Sequence, residues 1–372
     1  MGASGSRHLR FGGDMDLRYG MNPHQTAATA VPIEPERRPL RMVHGQPSYI
    51  NVLDAAGAWQ LVREAAAALG RPVAASFKHV SPAGAATAGP VDAVMAHTYR
   101  LDPGRTGALT SAYVRARDAD PKSSYGDFVA VSEPVDAELA DLLRRVVSDG
   151  IVAPGFEPGV VATLAAKKGG RFLVVEADPA YEPPAVETRD VYGLRLTQPR
   201  DAAPLTRALL ADPRLPAGAV DDLLLGLVVV RYTQSNSVAY VRDGMALGIG
   251  AGQQSRVDCT RLAGAKASTW WLRRHPSCQA FEAAAKVQDR VAAQLRRVGA
   301  IPDPAGWLRD LDGVAFVSDG ALPFPDNVEE AVRHGVRYIA EPGDSIRSTA
   351  VLEACERLGV THVRTGVRLF RH

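Results

Sequence analysis

Cysteine is scarce in this chain. There are three in 372 residues, Cys259, Cys278 and Cys355, widely spaced and with no Cys-x-x-Cys pair. That excludes a disulfide framework and a Cys-rich zinc site, and it predicts a reducing, cytoplasmic setting. Excess charge is missing too. The formal net charge is +2, so there is no basic surplus of the kind that marks a nucleic-acid binder. A locally basic site for a phosphorylated small molecule stays open. No apolar run is long enough to span a bilayer; the greasiest, "LLLGLVVV" at 223–230, is bracketed by charges and reads as core. The N-terminal "MGASGSRHLRFGGDM" has no apolar centre of a signal peptide, and residues 1–14 are expected to be a disordered leader. Short-period repeats, collagen-like segments and heptads are also missing.

What is present is an ordinary globular composition, 46% hydrophobic and 23% charged, with length for two domains. We place them at 15–200 and 201–372. Apolar positions recurring at three and four predict a helix over 51–70, stopped by Gly70. A strand follows at 72–80, and the chain is expected to break at Pro82 and Gly84. Residues 134–150 read as a helix ending in a Ser-Asp-Gly turn, and 171–178 as a strand. Prolines and few large apolar groups mark 179–204 as a linker. The second half reads as a helix over 218–233, a hairpin around Asp243-Gly244, helices over 255–273 and 280–299, then helix, strand, helix, strand from 327 to 366. Such alternation predicts an α/β fold with a largely parallel sheet.

Polar clusters punctuate the ends of these elements, where open α/β sheets place their sites. "RYGMNPHQ" carries Arg18, Tyr19, Asn22 and His24. "SFKHVSPAG" ends a strand in Lys78 and His79. "SSYGDF" carries Gly126 and Asp127. "YTQSNSV" gathers amides and hydroxyls, and the glycine-rich "GIGAGQQSRVDCTRLAG" feeds a helix. "SDGALPFPDN", "EPGDSIRS" and the terminal "VRLFRH" complete the set. "GIGAGQ" has neither the third-glycine spacing nor the later acid of a dinucleotide fingerprint, and no Gly-Lys-Ser/Thr makes it a P-loop. Each cluster also has a plainer reading: a solvated lysine beside a satisfied histidine, an ordinary turn, a fraying tail. In the functional reading, a lysine beside a histidine favours neutral imidazole, since like charges repel. Neutral imidazole is a base near neutral pH, and the ammonium is left to steady an oxyanion. Arg18 and Arg368 would clamp a phosphate.

Taken together, these motifs resemble aminoimidazole carboxamide ribonucleotide (AICAR) formyltransferase, the formyl-transferring part of a bifunctional purine-biosynthesis enzyme. The likeness runs from Arg18 to His372. The usual cyclohydrolase partner has no counterpart, so the chain is expected to be a stand-alone transferase. The resemblance implies two tandem cytidine deaminase-like α/β/α units, with a helical insertion in the second. The deaminase signatures His-x-Glu and Pro-Cys-x-x-Cys are missing, so no zinc is expected, nor pyridoxal phosphate. It implies a homodimer with active sites across the interface and no nucleic-acid or membrane partner. The implied reaction moves a formyl group from 10-formyltetrahydrofolate to the 5-amino group of AICAR. His79 would be the base and acid on that amine, with Lys78 assisting. Asn236, with Arg256, would orient the carboxamide and formyl groups. Arg18, Tyr19, Asn51, Gly126, Asp149, Arg368 and Phe370 would hold the ribotide. Arg256, Val257, Asp326, Ser345 and Ile346 would face the folate. One departure stands out: the family commonly reads "SDAFFPF" where this chain has "SDGALPF". Ala321 and Leu322 replace two aromatic rings, which predicts a wider or weaker pocket. That departure and the missing cyclohydrolase motivate a second reading, formyl transfer to a related heterocyclic aminocarboxamide ribotide in a side pathway such as nucleoside antibiotic synthesis; a third reading, of another class, is a catalytically silent nucleotide-binding subunit.

Overall fold

The computed structural model describes residues 15–279 and 286–372, so the leader expected over 1–14 and the start of the helix expected over 280–299 lie outside the described residues. Two short strands, β1 (Met15–Asp16) and β2 (Thr29–Ala30), pair antiparallel ahead of β3 (Leu40–His44). The first long helix is α1 (Tyr49–Leu69). The Ser48 hydroxyl accepts the Asn51 N–H, the Asn51 side chain takes the Ser48 N–H in return, and Gly70 closes the helix at φ 66°. Then follow β4 (Val73–Lys78), β5 (Ser81–Thr87), α2 (Ala93–Tyr99), α3 (Ala108–Ala119), β6 (Asp127–Val131) and α4 (Ala137–Arg145). The Ser-Asp-Gly turn expected after α4 is instead the start of strand β7 (Ser148–Ala153). Gly150 serves there because a Cβ would lie 2.6 Å from the Phe128 ring. After α5 (Val160–Ala165) and β8 (Leu173–Ala177), the expected linker holds a further hairpin, β9 (Val186–Val191) and β10 (Leu194–Pro199). All its residues are exposed, so the usual apolar alternation is weak, and sequence reading passed over it.

The second half matches expectation more closely. It comprises α6 (Ala217–Arg231), the hairpin β11 (Val238–Arg242) and β12 (Met245–Gly250), and α7 (Arg256–Leu272). Two inserted helices, α8 (Val287–Val298) and α9 (Pro304–Leu308), precede β13 (Val314–Ser318). The chain ends with α10 (Asp326–Val332), β14 (Val336–Glu341), α11 (Ser348–Leu358) and β15 (Thr361–Arg364). Among the described residues no helix is long and apolar enough to cross a membrane.

Eleven strands form one sheet, in the order β15-β14-β13-β11-β12-β5-β4-β6-β7-β8-β3. It is mixed, not largely parallel: only β6-β7-β8 and β13-β14-β15 run parallel. The reason is the two central hairpins, whose two-residue turns permit only antiparallel pairing. The same succession runs twice: helix, hairpin, helix, then three parallel strands with helices between. Helices α1 and α6 cover one face, and α3, α4, α7, α10 and α11 the other, each with its own apolar core.

The two halves meet where β12 pairs antiparallel with β5. One half is therefore turned end for end relative to the other. As a result the exits of β4, β12, β13, β14 and β15, and the entries of β5 to β8 and β11, share one end of the sheet. Every sequence-predicted site residue lies on a segment that leads to or from that end.

Candidate active site

The first cluster is built on the turn between β4 and β5. His79 and Val80 take φ 56° and 61°, the two positive values of a type I′ turn, without the usual Asn-Gly. The chain does not break at Pro82 and Gly84; both lie inside β5, with Pro82 opposite a bulge at Ser76/Phe77. A β-branched residue enters this region only under strain, and α1 supplies the restraint: buried Asp54 accepts the Val80 N–H at 2.7 Å. Burial pushes the Asp54 carboxyl up to about 6, opposed by that N–H and by nearby His79. Lys78 is half-buried and donates to the Tyr125 carbonyl at 2.5 Å, while His79 is exposed.

Gly126 follows Tyr125 at φ 77°, and a Cβ there would lie 3.9 Å from Asp149 Oδ1 and 4.0 Å from Lys78 Nζ. Asp149 pairs with Lys168 at 2.6 Å. Arg18 donates to Asn51 Oδ1 at 3.3 Å and lies over the Tyr19 ring at 5.5 Å. Arg18, Asn51, Asp149, Lys168 and Arg171 line a cleft of about 200 Å³. The structure thus gathers Arg18, Tyr19, Asn51, Lys78, His79, Gly126 and Asp149 in one region. Beneath it, buried Asp127 accepts from Ser76 Oγ at 2.7 Å, Tyr113 at 3.2 Å and Arg117 at 2.8 Å, fixing the start of β6 next to Gly126. Sequence reading missed Asp54, Lys167, Lys168 and Arg171. The last three stand in "KKGGR", a basic glycine turn just before a strand, which was a readable signal. Burial pushes the Lys167 ammonium down to about 7; it meets the Ser148 hydroxyl and faces the Phe172 ring at 4.3 Å.

The second cluster lies at the start of β11 and the end of β13. Buried Arg256 donates to Asn236 Oδ1 at 2.5 Å, Asp319 Oδ1 at 2.5 Å and Ser318 Oγ at 2.8 Å. The Asn236 amide nitrogen is itself engaged, donating to the carbonyls of Gln253 at 2.8 Å and Gln254 at 3.0 Å. Asp319 also accepts the Ser237 N–H at 3.0 Å and the Ser235 hydroxyl at 2.5 Å. The C-terminal segment is tied down rather than frayed. Leu369 N–H donates to the Asp319 carbonyl at 2.8 Å, and Ser235 N–H to the Arg371 carbonyl at 2.9 Å. This brings the Phe370 ring to 4.7 Å from the Arg368 guanidinium and 6.0 Å from that of Arg256. Gly320 lies close beneath both side chains: a Cβ there would come 2.5 Å from the Phe370 ring and 2.6 Å from Arg256 Nη2.

The remaining expected positions are more open. Val257 follows Arg256 in the first turn of α7. Asp326 opens α10 and accepts the Asn327 amide at 2.8 Å. The Ser345 and Ser348 hydroxyls share a hydrogen bond at 3.2 Å, and Ile346 is fully exposed. Leu322, one of the two positions where the resemblance expects an aromatic ring, is buried in the core, with its N–H on Glu341 at 3.3 Å. The exposed ring nearby is Phe324, under the Arg347 guanidinium at 5.3 Å.

Among the described residues, no hydrogen bond, ion pair or ring contact joins the two clusters, although both occupy the same end of the sheet. The amino-acid sequence matches the family model described as the AICARFT/IMPCHase bienzyme over residues 3–266. It is 32% identical over 374 aligned residues to the Bifunctional purine biosynthesis protein PurH of Ruegeria pomeroyi, covering 98% of this chain and 61% of that protein. Proteins of the same name from two strains of Cereibacter sphaeroides are 33% identical over 379 residues, covering 100% of this chain and 62% of each. The chain thus spans about three fifths of the length of these relatives. With most of its length matched by the family model and nearly all of it by these relatives, the chain belongs to the AICARFT/IMPCHase bienzyme family.

Proposed function

We propose that the protein transfers the formyl group of 10-formyltetrahydrofolate to the 5-amino group of AICAR, as a step of purine biosynthesis. The observation that carries this reading is the strained His79–Val80 turn, braced by Asp54, which holds an exposed imidazole next to Lys78 and a basic cleft. The acceptor amine is conjugated with its ring and is a weak nucleophile. It must lose a proton as its nitrogen bonds to the formyl carbon. His79 takes that proton, then returns it to the folate nitrogen as the old C–N bond breaks. The Lys78 ammonium stabilises the formyl oxygen as it becomes negative. Arg18, Asn51, Asp149 and Gly126 hold the ribotide. Asn236, with both ends of its amide engaged, positions Arg256.

The folate donor supplies the activated formyl group. Exposed Phe324 and Ile346 offer apolar area to a flat ligand, and Val257 and Asp326 complete that wall. Because the two clusters do not touch within one chain, each complete site is formed between two copies, the first cluster of one and the second of the other. The two repeats are read as cytidine deaminase-like units. The experiment is a steady-state assay with AICAR and 10-formyltetrahydrofolate. His79→Ala lowers kcat by about 10²- to 10⁴-fold, while calorimetry shows AICAR binding within a few-fold of the unaltered protein. Near-normal turnover in that variant overturns the assignment.

A further inference from the structure

The second hairpin repeats the geometry of the first at the opposite end of the sheet. Asp54 and Asp222 are each the sixth residue of the helix that precedes their hairpin. As Asp54 accepts from the first turn, Asp222 accepts from the second, taking the Asp243 N–H at 2.9 Å and the Gly244 N–H at 2.6 Å. Burial pushes the Asp222 carboxyl up to about 6, as it does Asp54. Arg242 stands where Lys78 stands in the first hairpin, directly before the turn. Beside this second turn lies a cavity of about 580 Å³, spanning the seam between the halves.

Three residues of its wall carry a buried donor without an acceptor. Arg115 is almost fully buried, and its guanidinium is bonded only to backbone carbonyls, those of Pro90 at 2.9 Å and of Asp243, with Nε left unpartnered. Arg242 Nη1 and Trp270 Nε1 are also without acceptors. Of the eight such buried side-chain atoms among the described residues, three belong to residues that line this one cavity. Arg71 adds a third guanidinium, exposed and bonded to the Ala88 carbonyl at 2.8 Å. Each of the wall's four acids already has a partner: Asp92 has Arg274, Asp221 has Arg207, Asp222 has the turn, and Asp243 has Arg242 Nε at 3.4 Å, which leaves the Nη1 of Arg242 without an acceptor. Buried donors without acceptors are costly. A phosphate group, dianionic and rich in acceptor oxygens, suits several guanidiniums at once.

We propose that this cavity is a second binding site, taking a small phosphorylated metabolite whose phosphate lies among Arg71, Arg115 and Arg242. Its body would rest on Trp270 and Tyr338, so that the ligand bridges the two halves across the β5–β12 seam. None of these residues belongs to the site described above, and the inference stands whether or not that site transfers formyl groups. The test is titration with ribose 5-phosphate, followed by calorimetry and by tryptophan emission. The expected result is a binding event that perturbs emission and that Arg71→Gln/Arg242→Gln weakens at least tenfold, with an unchanged circular dichroism spectrum. Arg18→Gln, in the other cleft, leaves that event intact. Parallel titration with inorganic phosphate should show at least tenfold weaker binding; equal binding overturns the metabolite assignment. The site itself is overturned if the folded double variant titrates like the unaltered protein, or if no such event is seen at millimolar ligand.

Discussion

Val80 and Asp54 show how a local cost is sustained by a tertiary partner. A valine at φ 61° is held against its preference, at a cost of order 1–3 kcal/mol, and the Asp54 carboxylate is the group that holds it. Asp54→Ala leaves the Val80 N–H without that acceptor. It should destabilise the fold by about 1–3 kcal/mol and lower turnover, because the turn that aims His79 is released. Asp54→Asn keeps an acceptor oxygen and removes the titration. The sign follows from burial, which raises the carboxyl from 3.8 to about 6 in the folded chain. Between those values the folded protein holds a proton that the unfolded chain has lost, so this group's contribution to stability falls as pH rises through that window. Thermal melts from pH 4 to 8 should therefore show Asp54→Asn gaining on the unaltered protein up to about pH 6 and holding that gain above it. A parallel pH dependence of the two proteins would reject the role. Lys78 and His79 were legible as a pair because two basic residues at a strand end are unusual. Asp54 was not, since an aspartate within an amphipathic helix reads as part of the helix until the fold brings it to the turn.

The two hairpins show why local sequence signals succeed unevenly. Asp243-Gly244 has the turn chemistry that a type I′ hairpin wants, and that hairpin forms as expected. His79-Val80 has the same backbone shape with side chains that disguise it, so β5 went unread and Pro82-Gly84 looked like a break. Missing one hairpin made the sheet look largely parallel. The end of α1 was readable because Gly70 acts over a single turn, whereas its start, capped by Ser48 and Asn51, lies two residues before the expected position. Tertiary contact explains Gly84, which looked like a breaker, and its counterpart Gly248. Gly84 and Gly248 are each the fourth residue of a hairpin's second strand. A Cβ on Gly84 would come 2.0 Å from the Ala116 carbonyl of α3, and one on Gly248 2.1 Å from the Ala263 carbonyl of α7. In each, a helix crosses a strand at a distance only glycine allows. Gly84→Ala and Gly248→Ala should each displace the helix and cost about 1–3 kcal/mol or more, read as a lowered urea midpoint. If either variant unfolds at the unaltered midpoint, the close crossing is not required.

The internal duplication leaves almost no trace in the residues themselves, since only a few positions, such as Asp54 with Asp222 and Gly84 with Gly248, do matching work. That is why strand order reveals it and sequence periodicity does not. The antiparallel seam between β5 and β12 has a functional consequence. It brings the His79 turn and the Arg256 cluster to the same end of one sheet without bringing them into contact. Under the proposed function, an isolated chain carries two half-sites, and a two-fold pair of chains would hold two complete ones. The arrangement can be tested by mixing defects. His79→Ala disables the first cluster and Asn236→Ala the second, so each variant alone is inactive at both sites of its own dimer. Co-expressed with different tags and purified as mixed dimers, the two variants form one site with both defects and one with neither. The mixed dimer should regain about half of the normal formyl transfer, with the KM for AICAR unchanged at the intact site. If both clusters instead served the same site within one chain, every site in the mixed dimer would carry a defect, and no activity would return.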